Sequence, residues 1–74
     1  MSGGGEAAGT MTVNGKQVSA AGIASIGGLL GSLAIAPQRV VVERNGVIYR
    51  RGEGLNVEVA AGDVIEIVHF VGGG

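Results

Sequence analysis

The dipeptide Asn-Gly occurs twice in the chain, at Asn14-Gly15 and Asn45-Gly46, each time between short apolar-rich runs. A two-residue type I′ turn needs positive φ at both central positions, which Asn and Gly tolerate best, so each copy predicts a tight β-hairpin. The first hairpin joins a strand over residues 10–13 to one over 16–20. The second joins 39–44 to 47–50. A further strand is VIEIVHFV, residues 64–71, entered through the turn AAGD at 60–63. Before that turn, residues 51–54 read as loop. Leu55, Val57 and Val59 alternate with Asn56 and Glu58, the pattern of a short extended piece.

Between the hairpins lies AGIASIGGLLGSLAIAPQ. Ser25 is placed to cap a helix. Ile26, Leu29, Leu30 and Leu33 then recur at helical spacing on one face. Pro37 is the expected stop. The opposite face is Gly27, Gly28, Gly31 and Ser32. An interior glycine costs on the order of 1 kcal/mol against alanine, so packing of the leucine face must hold this helix. The element order is β, β, α, β, β, β. In the last strand only Glu66 and His69 interrupt an apolar run, the mark of a central strand with neighbours on both sides. The economical solution is an α+β domain: one mixed sheet of four or five strands, the helix across one face, and the first and last strands parallel in the middle. That is the β-grasp arrangement, and it makes the C-terminus project from the end of the central strand.

Composition closes off several functions. At 74 residues the chain is one small domain, with an expected stability of roughly 5 kcal/mol. There is no cysteine, hence no disulfide framework or thiolate zinc site, and this favours a cytoplasmic setting. Five Lys and Arg against six Asp and Glu give no basic footprint for a phosphate backbone. With one Phe, one Tyr and no Trp there is no base-stacking platform either, so no nucleic-acid partner is expected. His69 is a lone histidine without companions for a metal site. The first ten residues lack the basic and apolar regions of a signal peptide and read as a flexible tail. Residues 18–36 carry no charge and include Gly27-x-x-x-Gly31, which fits a membrane-helix pairing motif. Against a membrane span stand its glycines and serines, the missing aromatic belt and the hairpins it would leave without a core.

Glycine is the outlier, 16 of 74 residues, and it falls in clusters. The last cluster is Gly72, Gly73 and Gly74, directly after the apolar strand. The VNG opening, the leucine-rich helix, the ERNG hairpin and above all GDVIEIVHFVGGG resemble the ThiS family of ubiquitin-like sulfur carriers of thiamin biosynthesis. The resemblance covers residues 11–74. It departs in the helix, where glycines stand in place of the expected Glu or Lys.

The resemblance implies a carrier rather than an enzyme. Its working group is the α-carboxylate of Gly74, and it has no tightly bound cofactor. A ThiF-type enzyme adenylates that carboxylate with ATP. Sulfur from a desulfurase system then displaces AMP and leaves a thiocarboxylate, a 1-thioglycine, at Gly74. A ThiG-type thiazole synthase receives the sulfur. Physical reasoning agrees with such a scheme. A carboxylate is a poor acyl donor until its oxygen becomes a leaving group. Three extended residues span roughly 10 Å, enough to enter a channel in another protein. Glycine at 72, 73 and 74 avoids both a Cβ clash and a restricted φ there.

The domain boundaries expected are a tail over 1–10, the β-grasp domain over 11–71 and a glycine tail over 72–74, the whole a monomer when free. In the last strand Ile65 and Ile67 are assigned to the helix side, because the other set carries Glu66. Val68 and Phe70 then lie on the open face. Phe70, Val68 and Glu66, with His69 and Val71 beside them, form the expected partner surface, Phe70 being the aromatic anchor. Arg39, Arg44, Arg50 and Arg51 cluster around the second hairpin, either as a solvated face or as a contact for an acidic enzyme surface. Gly52-Glu53-Gly54 lacks the strand-to-helix context of a phosphate cradle. Related β-grasp carriers serve molybdopterin, cysteine or methionine synthesis and also end in Gly-Gly. An inert interaction module is the remaining alternative.

Overall fold

The computed structural model describes residues 9–70. Strand β1 (Thr10–Val13) turns into β2 (Lys16–Ser19), helix α1 (Ile26–Ser32) follows, and a 3₁₀ turn (Pro37–Arg39) leads into β3 (Val40–Arg44). Strand β4 (Val47–Tyr49) completes the second hairpin, and β5 (Val64–His69) comes last. The five strands form one sheet in the order β2-β1-β5-β3-β4. β5 is central, parallel to β1 and antiparallel to β3. This is the expected β-grasp topology. β1 begins at Thr10, so the sheet takes in the last residue of the segment read as tail; residues 1–8 and 71–74 lie outside the described residues.

Both hairpins turn through Asn-Gly as expected. Asn14 and Asn45 have φ of 50°, and the glycines after them have φ of 83° and 91°, the two positive angles of a type I′ turn. Each asparagine side chain also grips β5. The Ile67 N–H donates to Asn14 Oδ1 at 2.6 Å, and the Val64 N–H donates to Asn45 Oδ1 at 2.8 Å. The two turns therefore fix the central strand from either side.

The core lies between α1 and one sheet face. Ile26, Leu29 and Leu30 from the helix meet Met11 and Val13 of β1, Val40 and Val42 of β3, and Ile65 and Ile67 of β5. Ile65 and Ile67 thus face the helix, as the sequence pattern indicated. Burying one such side chain contributes about 1.5–3 kcal/mol, so this set supplies most of the hydrophobic stabilisation.

The helix is shorter than its apolar spacing predicts. It ends at Ser32; Leu33 is the C-cap and is 40% exposed instead of packed. Ala34 adopts φ of 58°, its N–H donates to the Gly31 carbonyl at 3.1 Å, and the Ile35 N–H donates to the Leu30 carbonyl at 2.9 Å. This is a Schellman ending with alanine where glycine is usual. Pro37 does not stop the helix; it opens the next 3₁₀ turn, where its missing N–H is harmless. That turn takes Arg39 out of the strand expected to start there. β2 and β4 each end one residue early, at Ser19 and Tyr49.

Of the piece expected to be extended, Leu55 and Asn56 lie in a turn, and residues 57–59 join no strand of the sheet. They run beside the start of α1, with a bridge between Ser25 and Glu58. The Ile26 N–H donates to the Val57 carbonyl at 3.0 Å and the Gly27 N–H to the Leu55 carbonyl at 2.9 Å. Ser25 Oγ accepts from the Gly28 N–H at 3.0 Å. The donors that a helix start leaves unpaired are satisfied in this way. The close approach accounts for one helical glycine: a Cβ at Gly27 would stand 3.1 Å from the Leu55 carbonyl oxygen. A Cβ at Gly31 would meet nothing within 4 Å, and nothing in the packing explains that glycine.

The uncharged run 18–36 is divided between β2, loops and a helix of 7 residues. Among the described residues no helix is long and apolar enough to cross a membrane.

Candidate functional site

Gly72, Gly73 and Gly74, with Val71, lie outside the described residues, so the candidate site is seen at its root: the end of β5 and the surface around it. Side chains along β5 alternate between helix and open face. Glu66 and Val68 are exposed on the open face, and Val68 is 60% exposed. Phe70 follows the strand; its N–H donates to the Arg39 carbonyl at 3.0 Å, and the residue is 40% exposed. Ladder register extends this face. Val41 sits opposite Val68, Glu43 opposite Glu66, and Ile48 opposite Glu43. Ile48 is 56% exposed. Val41, Ile48, Val68 and Phe70 make an apolar field interrupted by two facing carboxylates. His69 is exposed and pairs with Val40 at the sheet edge of the helix side.

The structure thus brings Glu66, Val68 and Phe70 to one face and puts His69 on the other parity. Sequence reasoning missed Val41, Glu43 and Ile48 on that face. The signal was available, since hairpin register alone pairs Glu43 with Ile48 once the Asn45-Gly46 turn is set.

The second open-face half differs in chemistry. Thr12 lies opposite Val64. Thr10 Oγ1 donates to Gln17 Oε1 at 2.7 Å, and Gln17 Nε2 donates to Thr12 Oγ1 at 3.1 Å. These polar groups satisfy one another across β1 and β2. Apart from Val64, which is 51% exposed beside these polar groups, the apolar field lies in the half where the chain leaves β5.

The four clustered arginines separate into different roles. Arg44 Nε donates to Asp63 Oδ2 at 2.8 Å. Asp63 also accepts from the Ala60 N–H at 2.9 Å and from Asn45 Nδ2 at 3.1 Å. Burial by itself would raise the Asp63 pKa; the Arg44 hydrogen bond, the Ala60 N–H, the Asn45 amide and the Arg44 charge outweigh it and hold the carboxyl below its ordinary value. This group ties the turn before β5 to the β3–β4 turn and is structural.

Arg51 is different. Its guanidinium carbon lies 4.3 Å from the centre of the Phe70 ring, a cation–π contact. The loop that carries it is pinned. The Gly52 N–H donates to the Pro37 carbonyl at 3.2 Å, and the Glu53 N–H donates to the Arg50 carbonyl at 2.6 Å. Gly54 has φ of 70° and packs on the Tyr49 ring, where any Cβ would overlap it. The Gly-Glu-Gly segment is therefore a support for Arg51.

Residues 11–74 match the model of the ThiS family. The chain belongs to the ThiS family. The sulfur carrier protein ThiS of Bacillus subtilis (strain 168) is 43% identical over 65 residues, which are 86% of this chain and 98% of that protein. A solved structure described as the thiamine biosynthesis protein ThiS from Geobacter metallireducens superposes with a TM-score of 0.70 at 35% identity, covering 88% of this chain and 99% of the other. Its agreement extends the ThiS assignment to the β-grasp, ubiquitin-like fold. A thiazole synthase of Magnetococcus marinus is 42% identical over 62 residues, 84% of this chain but 19% of that protein. One from Paramagnetospirillum magneticum is 36% identical over 64 residues, 86% of this chain and 20% of that protein. The chain therefore spans about a fifth of the length of these two relatives.

Proposed function

We propose that this ThiS-family chain is a sulfur carrier for thiamin thiazole formation, acting through the α-carboxylate of Gly74. The observation that carries this reading is the match to the ThiS family running through Gly74, on a chain whose central strand points toward that end. The carrier is a substrate of its partners and not itself an enzyme.

In the proposed cycle a carboxylate oxygen of Gly74 attacks the α-phosphorus of ATP within a ThiF-type enzyme, and pyrophosphate leaves. The acyl carbon now bears AMP, a good leaving group. The terminal sulfur of a desulfurase persulfide, released as sulfide by a dithiol reductant that ends as a disulfide, attacks that carbon. AMP departs with the electron pair, and a thiocarboxylate remains on Gly74. Gly72 and Gly73 give the thread clearance and backbone freedom inside the partner. Phe70, Val68 and Glu66 dock the open face on the activating enzyme, while His69, on the opposite parity, is left out of that face; the exposed apolar field around Val68 has the aromatic and aliphatic make-up of an interface core. A thiazole synthase is the proposed acceptor, since two proteins of that name contain a stretch similar to this chain.

The test is intact mass spectrometry after incubation with a ThiF-type enzyme, ATP and a sulfur donor. The expected result is the mass gain of one oxygen replaced by sulfur, mapped to Gly74. A carrier extended by one alanine after Gly74 should keep its fold and gain no sulfur. Absence of any adduct on the unmodified chain would overturn the reading.

A further inference from the structure

Three exposed arginines surround the root of the tail: Arg39, whose carbonyl holds the Phe70 N–H, and Arg50 and Arg51 in the loop beside it. Among the described residues the ion pair present is Arg44–Asp63, so no carboxylate there engages Arg51. We propose that Arg51 is a carboxylate receptor at the tail root, which docks an acidic side chain at the mouth of the activating enzyme's channel; this rests on the carrier reading above.

The geometry of the contact is the argument. The guanidinium carbon lies over the Phe70 ring at 4.3 Å, a contact with a π face that takes up no carboxylate, and no ion pair engages Arg51 among the described residues. The N–H donors lie in the guanidinium plane, in the fork that matches a carboxylate. The ring and the pinned 50–54 loop hold that fork in place before any partner arrives, which reduces the ordering cost of docking. Arg50 has no comparable ring beneath it among the described residues.

Distance selects the kind of anion. From Phe70 to Gly74 is four residues, at most about 14 Å when extended. With the Gly74 carboxyl at the α-phosphorus, Arg51 at the Phe70 ring remains near the channel entrance and away from the triphosphate. A protein carboxylate is then the matching ligand. The choice of partner follows from charge as well. The activating enzyme has to bring an anionic chain end to an anionic nucleotide, and attraction away from the reacting atoms offsets that repulsion.

The experiment measures adenylation by a ThiF-type enzyme, as pyrophosphate release, with the carrier as varied substrate. Arg51→Ala should raise KM for the carrier about ten- to a hundredfold with kcat unchanged. Arg51→Lys should recover part of the loss, keeping the charge without the fork. Arg50→Ala should behave as wild type. Added salt should raise KM for wild type far more than for Arg51→Ala. Circular dichroism and thermal melting establish that each variant is folded. Wild-type KM in folded Arg51→Ala, a fall in kcat alone, or a defect seen only in sulfur transfer to a thiazole synthase each overturn the proposal, while the carrier reading stands. Failure of the wild-type chain to be adenylated removes the carrier reading itself.

Discussion

Asn14 and Ile67 are far apart in sequence yet pair like neighbouring strand residues. The Ile67 N–H donates to Asn14 Oδ1 at 2.6 Å, and Asn14 Nδ2 donates to the Ile67 carbonyl at 3.1 Å. The backbone ladder between β1 and β5 stops just before, with the Asn14 N–H on the Ile65 carbonyl at 2.9 Å. The side-chain amide therefore adds one more rung to a short parallel pairing. Asn14→Gly keeps a residue at ease with the turn's positive φ but removes the rung. It should cost about 1–3 kcal/mol of unfolding free energy in urea titration. Asn14→Asp should cost at least as much at neutral pH, because a carboxylate faces the Ile67 carbonyl without a donor.

Asp63 gives the fold a defined acid sensitivity. Its folded-state pKa lies below the ordinary value of 3.8. A depressed carboxylate contributes stability that is fully present above the unfolded value and is lost as pH falls through the folded one. Unfolding free energy should therefore decline as pH drops below about 4, and Asp63→Asn should flatten that limb. At neutral pH the same variant should be less stable by about 1–3 kcal/mol, since Arg44 and the Ala60 N–H lose a charged acceptor. Urea titrations of both proteins across this range test the sign and the window.

The glycines of α1 separate into those with a packing reason and those without. Gly31→Ala should stabilise the protein by about 1 kcal/mol, the helix-propensity difference, because its Cβ enters open space. Gly27→Ala should have the opposite sign, by about 1–3 kcal/mol, since its Cβ presses on the Leu55 carbonyl that caps the helix. Ala34→Gly relieves a left-handed alanine and should gain about 0.5–1 kcal/mol after the added chain entropy. Thermal melts of the three variants should order as Gly31→Ala and Ala34→Gly above wild type and Gly27→Ala below it.

What the sequence displayed and what it hid follows from range. The Asn-Gly turns, the Ser25 cap and the two faces of β5 are local or periodic signals, and each appears in the structure where the residues indicated. The helix end was hidden because alanine at 34 carries no sign of a left-handed cap, while Pro37 offered a false one. Residues 55–59 alternate like a strand but spend their carbonyls on the start of α1, a choice only tertiary packing makes. The Arg44–Asp63 and Arg51–Phe70 pairs each join residues 19 apart in sequence, beyond the reach of spacing arguments. The tail glycines were legible through family resemblance, and their structure lies outside the described residues.

Phe70 is exposed enough that its loss should spare the fold. Phe70→Ala should retain the wild-type far-UV circular dichroism spectrum and lose about 1–2 kcal/mol, from the part-buried ring and the exposed cation–π contact. Adenylation by a ThiF-type enzyme should fall about thirtyfold or more in kcat/KM, as for a central aromatic anchor. In the double variant with Arg51→Ala the two losses should be far less than additive, because Phe70 is the platform on which Arg51 is held. Full additivity would mean that the two residues contact the partner independently.

Glu43 and Glu66 stand directly opposite one another on the open face of the antiparallel pair β3–β5. Like charges in that position cost about 0.2–1 kcal/mol, and both side chains are exposed with no ion pair to either among the described residues. Glu66→Lys replaces repulsion by a cross-strand attraction. It should raise unfolding free energy by roughly the same amount at low ionic strength, and the gain should shrink in salt. If Glu66 docks the carrier, the more stable variant should nevertheless be a poorer substrate for adenylation, with KM raised. Stability and adenylation improving together would show that this carboxylate pair does not face the activating enzyme, and would move the docking contact toward Val68 and Phe70.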